Sequence, residues 1–230
     1  MNHSLPFTRS GWRYYDVAVA LFVASLLTAN IISVKLIVIG PLILPAGVVI
    51  FPISYILGDI LTEVYGYRSA RRAIWLGFTG NLLAVLAIWL TGLLPSPAFW
   101  QGQEAYDTIL GFTPRLLLAS FLAYLIGEFA NSTILAKMKI WTQGHHLWAR
   151  TIGSTVVGQG LDSLIFISIA FSGQMAAPAL VSAVLSQWLF KSLYEAAATP
   201  LTYLVVNRLK RIEGVDSYDV DTDFNPLAFE

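Results

Sequence analysis

The residues of this sequence best equipped for chemistry are acids, amides and one lysine set inside long apolar runs. Asp59 and Glu63 stand four apart, with Tyr55 one turn earlier and Gly58 beside them, so a helix through this stretch gathers them on one face. Glu128 and Asn131 are spaced at i+3, as are Gln159 and Asp162, while Gln187, Lys191 and Glu195 follow one another at i+4 steps. Asn30 adds an amide to the first run. A charged group at the centre of a membrane span costs about 2.5 to 3.5 kcal/mol, so such groups face a cavity or a partner, and they mark solute sites and proton relays. Asn30, Asp59, Asp162, Gln187 and Lys191 are the leading candidates for one central binding site. Glu63, Glu128, Asn131, Gln159, Trp188, Tyr194 and Glu195 form a second tier. The bland alternative is that these groups simply tie helices together, Lys191 pairing with Asp59 or Asp162.

The elements that must position them follow from composition. Of 230 residues, 56% are hydrophobic and 12% are charged, against about 25% charged in ordinary soluble domains. Apolar runs over about 16–39, 44–66, 73–94, 113–136, 149–172 and 179–206 read as helices, each long enough for the roughly 20 residues that a bilayer requires. The expected fold is therefore all-α, a polytopic membrane protein of about six transmembrane helices. Residues 1–206 form a single transmembrane domain, and 207–230 form a basic, then acidic, flexible tail.

Basic residues set the orientation. Arg9 and Arg13 precede the first run, and Arg68, Arg71 and Arg72 follow the second. Lys137, Lys139 and Arg150 flank the next even loop, while Arg208, Lys210 and Arg211 end the last run. The alternate loops 40–43, 95–112 and 173–178 carry none. Both termini are thus expected in the cytoplasm. Lys35 and Arg115 are expected to snorkel outward, and Glu63 to be neutralised by Arg68, Arg71 and Arg72. Equal numbers of acidic and basic residues, 14 each, give no case for nucleic acid. The absence of cysteine excludes disulfides and thiolate metal sites. His145 and His146 lack a third ligand at metal spacing, so neither metal nor cofactor is expected.

The run Phe51-Pro52, then Gly58-Asp59-Ile60-Leu61-Thr62-Glu63-Val64-Tyr65-Gly66, then Ala70-Arg71-Arg72 resembles the queuosine precursor transporter family of small bacterial membrane proteins. Asn30, Gly153-Ser154, Asp162-Ser163, Phe166, Lys191 and Pro200 extend the resemblance over nearly the whole membrane portion. It implies six helices in a bacterial inner membrane and uptake of the deazaguanine bases preQ0 and preQ1. A carboxylate, Asp59 or Asp162, could accept paired N–H donors from such a base, and Lys191, Asn30 or Gln187 could donate to its carbonyl. Trp188, Tyr194 or Phe166 could stack on the ring. Small residues Ala20 and Ala24 leave open a substrate-binding subunit that docks on an energising partner complex, or a homo-oligomer. The span carboxylates leave open proton coupling. A remote enzyme alternative is an intramembrane aspartyl protease built on Asp59 and Asp162.

Overall fold

A bilayer offers no water to backbone N–H and C=O groups, so a chain that crosses it closes those bonds internally as helix. The computed structural model describes residues 12–39, 42–111 and 114–228. Its helices are α1 (Tyr15–Ile32), α2 (Phe51–Tyr65), α3 (Tyr67–Gly92), α4 (Gln103–Leu110), α5 (Pro114–Trp141), α6 (Leu147–Phe171) and α7 (Ala177–Glu213). Between α1 and α2 lies a small antiparallel hairpin, β1 (Leu36–Ile39) with β2 (Leu42–Pro45), pairing Leu36 with Pro45 and Ile39 with Leu42. A single 3-10 turn, Ala46–Val49, follows it.

The architecture is thus the expected all-α one, six long helices with the short α4 in the 95–112 loop. Its boundaries differ from the hydropathy reading at three places. The runs 16–39 and 44–66 are not helical throughout, because β-branched Val38 and Ile39 favour extended backbone and the chain turns into the hairpin. Among the described residues, four stretches are long and apolar enough to span by composition: Tyr15–Ile32, Tyr67–Gly92, Leu147–Phe171 and one within 103–141, the part of the chain that holds α4 and α5. Of the other two, α2 has only 15 residues, and α7 is diluted by Gln187, Lys191 and Glu195. Finally, α7 continues past 206 to Glu213.

Eleven of the fifteen α2 residues are buried, which makes α2 the central helix. Large apolar side chains such as Leu83, Leu118, Leu164 and Leu189 point outward, as lipid-facing positions should. Apolar tails drive no helix association of their own, so close backbone approach and polar cross-links carry it. The tightest approach is between α5 and α6. A Cβ added to Gly158 would lie 2.8 Å from Asn131 Cβ and 2.9 Å from the Gly127 carbonyl oxygen. Asn30 Nδ2 donates to Asn81 Oδ1 at 2.5 Å, tying α1 to α3. Arg115 does not snorkel freely. Its guanidinium donates to the carbonyls of Ile169 and Ser172, groups left open at the end of α6.

The acidic tail was expected to be solvated, but residues 214–228 lie back over one end of the bundle, called the tail face below. Asp219 accepts from the Tyr67 backbone N–H at 3.0 Å and so caps α3. Arg71 donates to the carbonyls of Asp223 and Asn225, and Trp75 Nε1 donates to that of Pro226. Gly66, at φ +84°, makes this docking fit, since a Cβ there would meet Ser217 Cβ at 3.1 Å. Asp216 bonds Lys139 Nζ at 2.5 Å and Lys210 Nζ at 2.8 Å. The physical reason is pairing: tail carboxylates find helix-end cations and N–H groups, which offset the entropy of ordering. Glu213 likewise accepts from the backbone N–H groups of Arg13 and Tyr14 ahead of α1.

Two outcomes follow. Gly158→Leu should lower the stability of the folded protein by roughly 1 to 3 kcal/mol through overpacking, seen as a lower melting temperature in detergent, and an unchanged melt would contradict the seam. For Asp216, partial burial raises the carboxyl pKa, but the hydrogen bonds from Lys139 and Lys210 and their charges outweigh it and hold the group below the usual range. A depressed folded pKa contributes stability above the unfolded value of about 3.9 and loses it as pH falls through the lower folded value. The tail should therefore resist proteolysis down to about pH 4 and become cleavable below it, whereas Asp216→Asn should be cleaved more readily at neutral pH.

Candidate functional site

On α2, Phe51, Tyr55, Asp59 and Glu63 recur every four residues and run down one buried face. Three polar layers attach to this ladder.

The layer nearest the hairpin holds the ion pair of Lys191 Nζ with Asp162 Oδ2 at 2.5 Å, each side chain about 10% exposed. The ammonium stands 4.2 Å from the centre of the Phe51 ring, and that ring lies 4.9 Å from the ring of Tyr55. A carboxylate, an ammonium and aromatic rings thus meet where α2, α6 and α7 approach. Small residues permit this. A Cβ on Gly127 would come 3.0 Å from Asp162 Cβ and 3.5 Å from the Tyr55 hydroxyl.

One turn deeper lie Asp59, Glu128 and Glu195, all within electrostatic reach of one another. Asn131 Nδ2 donates to Asp59 Oδ1 at 2.8 Å. Asp59 Oδ2, both Glu128 oxygens, Glu195 Oε1 and Asn131 Oδ1 are buried without a hydrogen-bond partner. Glu128 Oε2 lies 3.2 Å from where a Cβ on Gly58 would stand, a position that Phe22 of α1 approaches to 3.6 Å.

The third layer closes the tail face. Glu63, with its side chain fully buried, contacts Lys210 Nζ at 2.6 Å, Arg150 Nη2 at 2.8 Å and Lys139 Nζ at 3.5 Å. Lys139 also donates to the Glu63 carbonyl at 2.6 Å. Glu63 is therefore neutralised by cations from α5, α6 and α7. The expectation of Arg68, Arg71 and Arg72 as its partners fails, because α3 turns away at Gly66 and Arg71 is engaged by the tail.

The structure brings together much of the candidate set but not all of it. Asp59, Asn131, Glu128 and Glu195 share the middle layer, and Asp162 and Lys191 share the hairpin-side layer. Gln187 lies half-buried on the Lys191 face of α7. Gln159 is buried one turn from Asp162, with Oε1 unpartnered. Asn30 is bound to Asn81 instead, and Tyr194 is 40% exposed. Trp188 Nε1 donates to the Val156 carbonyl at 2.8 Å, which fixes the indole on α6, and Phe166 meets the ring of Phe171. The aromatic group at the ion pair is Phe51, which is absent from the candidate set; continuing the Tyr55–Asp59 periodicity one turn back would have found it. The two aspartates bond different partners, Asp59 the Asn131 amide and Asp162 the Lys191 ammonium. Among the described residues no acidic or histidine cluster is arranged to hold a metal ion. Two apolar-walled cavities of about 270 and 210 Å³ lie elsewhere, around Trp100 and Tyr106 near α4, and no span carboxylate lines them.

Comparison with known proteins agrees with this membrane architecture. The family described as "Putative vitamin uptake transporter" matches residues 45–205. A protein named "Probable queuosine precursor transporter" from Bacillus subtilis (strain 168) is 33% identical over 76% of this chain and 77% of its own. A protein of the same name from Haemophilus influenzae is 27% identical over 54% of this chain and 51% of its own. The "Queuosine precursor transporter" of Escherichia coli (strain K12) is 29% identical over 54% of each. No solved structure matches the chain. Its helices, its membrane composition and these relatives converge: this chain is a multi-pass integral membrane protein that belongs to the queuosine precursor transporter family.

Proposed function

We propose that this protein imports a queuosine precursor base, preQ0 or preQ1, and binds it at the Asp162–Lys191 pair. The observation that carries this reading is the pair itself, set against Phe51 and Tyr55. A deazaguanine presents adjacent N–H donors, which match the two oxygens of a carboxylate, and a carbonyl, which matches an ammonium. The two groups neutralise each other while the site is empty, and the base inserts between them by exchanging one charge-assisted contact for two. Phe51 supplies the apolar face for a flat ring. Gln187, on the same face of α7, is the nearest candidate for a further amide contact.

The burial of Glu63 with Arg150 and Lys139 supports entry from the hairpin side. The side chains of Asp162 and Lys191 keep about 10% exposure; those of Glu63, Arg150 and Lys139 keep 2% or less, and Lys210, at the rim of the clamp, keeps 19%. With the basic helix ends taken as cytoplasmic, the tail face is inside and the hairpin outside, so this state is closed toward the cytoplasm. Release then requires parting the Glu63 clamp. The role is transport rather than catalysis. The carrier works as a stand-alone unit. Docking on an energising complex through Ala20 and Ala24 is the second reading: Ala20 is exposed on α1 and so available to a partner.

The test is queuosine content of transfer RNA in precursor-starved cells that lack their own importer, supplied with preQ0 or preQ1. The parent chain should restore the nucleoside. Asp162→Asn and Lys191→Met, at matched membrane levels, should each reduce restoration at least about tenfold, the scale of losing one charge-assisted contact. Leu189→Ala on the lipid face should behave as the parent. Restoration by both pair variants would sink the assignment of the site, and failure of the parent would sink stand-alone import.

Phe51→Ala provides a separate check on stacking. Aromatic contact with a base is worth about 1 to 3 kcal/mol, so the variant should raise the half-saturating precursor concentration by roughly 5-fold to 160-fold in an uptake assay. An unchanged value would remove the ring from the site.

A further inference from the structure

Four carboxyl groups, Asp59, Glu128, Asp162 and Glu195, surround the upper two layers, and one ammonium, Lys191, is available to them. That ammonium is engaged by Asp162 at 2.5 Å. The remaining three are each 2% exposed or less, and an unpaired buried carboxylate is too costly to remain ionised. Among the described residues, the other titratable groups facing the three are Tyr55 and Glu63 on α2, Tyr124 on α5, and Asp162 on α6. None is a cation. Glu63 is occupied by its own clamp, and Tyr124 donates its hydroxyl hydrogen to the Ile74 carbonyl at 2.9 Å.

The hydrogen-bond inventory supplies an independent argument. Asn131 is fully buried and its amide is fixed against Asp59, yet its Oδ1 has no donor. The unpartnered atoms around it, Asp59 Oδ2, both Glu128 oxygens and Glu195 Oε1, are acceptors as well. Ionised acids cannot satisfy an acceptor, whereas protonated acids donate an O–H. The oxygens are not arranged as a metal site. Protons on these acids would supply the donors that the acceptors lack.

We infer that Asp59, Glu128 and Glu195, with Asn131, form a proton-binding site distinct from the Asp162–Lys191 pair, and that protons taken up there from the hairpin side accompany the solute and leave to the tail side. The inference rests on the import reading for its coupling, while proton binding stands on the geometry alone. The route is short. Asp59 and Glu63 are one turn apart on α2, so opening of the clamp exposes the acids to water on the tail face, where each O–H gives up its proton to solvent. Glu195, one turn below Lys191 on α7, sits between the solute pair and that exit.

The test separates the two claims. The full chain in liposomes, without solute, is titrated by infrared difference spectroscopy beside Asp59→Asn, Glu128→Gln and Glu195→Gln, each checked for a parental size-exclusion profile. A protonated-carboxyl band should be present at neutral pH, vanish on alkalinisation and lose about one third of its intensity in each variant. No such band, or one that all three variants leave intact, would overturn the inference. In a second arm, preQ1 uptake should acidify the liposome interior in the parent, while the variants still exchange preQ1 at equal concentrations but lose uphill accumulation. Uptake driven by a sodium gradient and indifferent to pH would also overturn it. If preQ1 does not move at all while the band behaves as expected, the solute assignment fails and the proton site stands.

Discussion

A carboxyl group taken out of water needs a cation, a set of hydrogen-bond donors or a proton, and the burial of five of them along one axis organises this protein. Glu63 receives three cations, from three helices. Asp162 receives one. Among the described residues, Asp59 is held only by the Asn131 amide, and both Glu128 oxygens and Glu195 Oε1 are buried without a hydrogen-bond partner. Removing one partner from a buried pair leaves an uncompensated charge and costs about 3 to 5 kcal/mol, so the clamp and the pair are strong locally. They can still open if the charges exchange partners together, and a carrier that alternates between two faces needs bonds of that kind.

Helix packing serves the same end. Glycine at 127 and 158 brings the α5 and α6 backbones nearly into contact, and this sets Asn131 and Asp162 at the heights where they meet α2 and α7. The outer surface is ordinary lipid-facing leucine and valine. It contributes little to holding the helices together, because hydrocarbon solvates such residues well. Polar cross-links do more, among them Asn30 with Asn81 and the Tyr124 hydroxyl on the Ile74 carbonyl.

Much of this was legible without coordinates, for identifiable reasons. Intramembrane polarity is so costly that Asp59, Asp162, Glu195 and Lys191 stand out by type alone, and helical periodicity places Asp59 below Tyr55 correctly. What periodicity cannot supply is the partner on another helix. Lys191 was equally compatible with Asp59 and with Asp162, and only the rotation of α7 selects the latter. Lys139, Arg150 and Lys210 served the sequence reading as topology markers, yet each contacts Glu63. The tail shows the same limit. Its acidity suggests a solvated end when read alone, but its acids and carbonyls match the N–H groups and cations exposed where α2 breaks at Gly66. The hairpin was hidden because hydropathy scores apolar strands and apolar helices alike.

The brevity of α2 has an electrical meaning. Fifteen residues rise about 22 Å, against a hydrocarbon thickness of about 30 Å, so the central helix stops short of the span that its neighbours cover. A full crossing is worth about 2.3 kcal/mol per charge at 100 mV. A charge carried along α2 from the level of Phe51 to that of Glu63, about 18 Å at 1.5 Å per residue, therefore crosses only part of that drop.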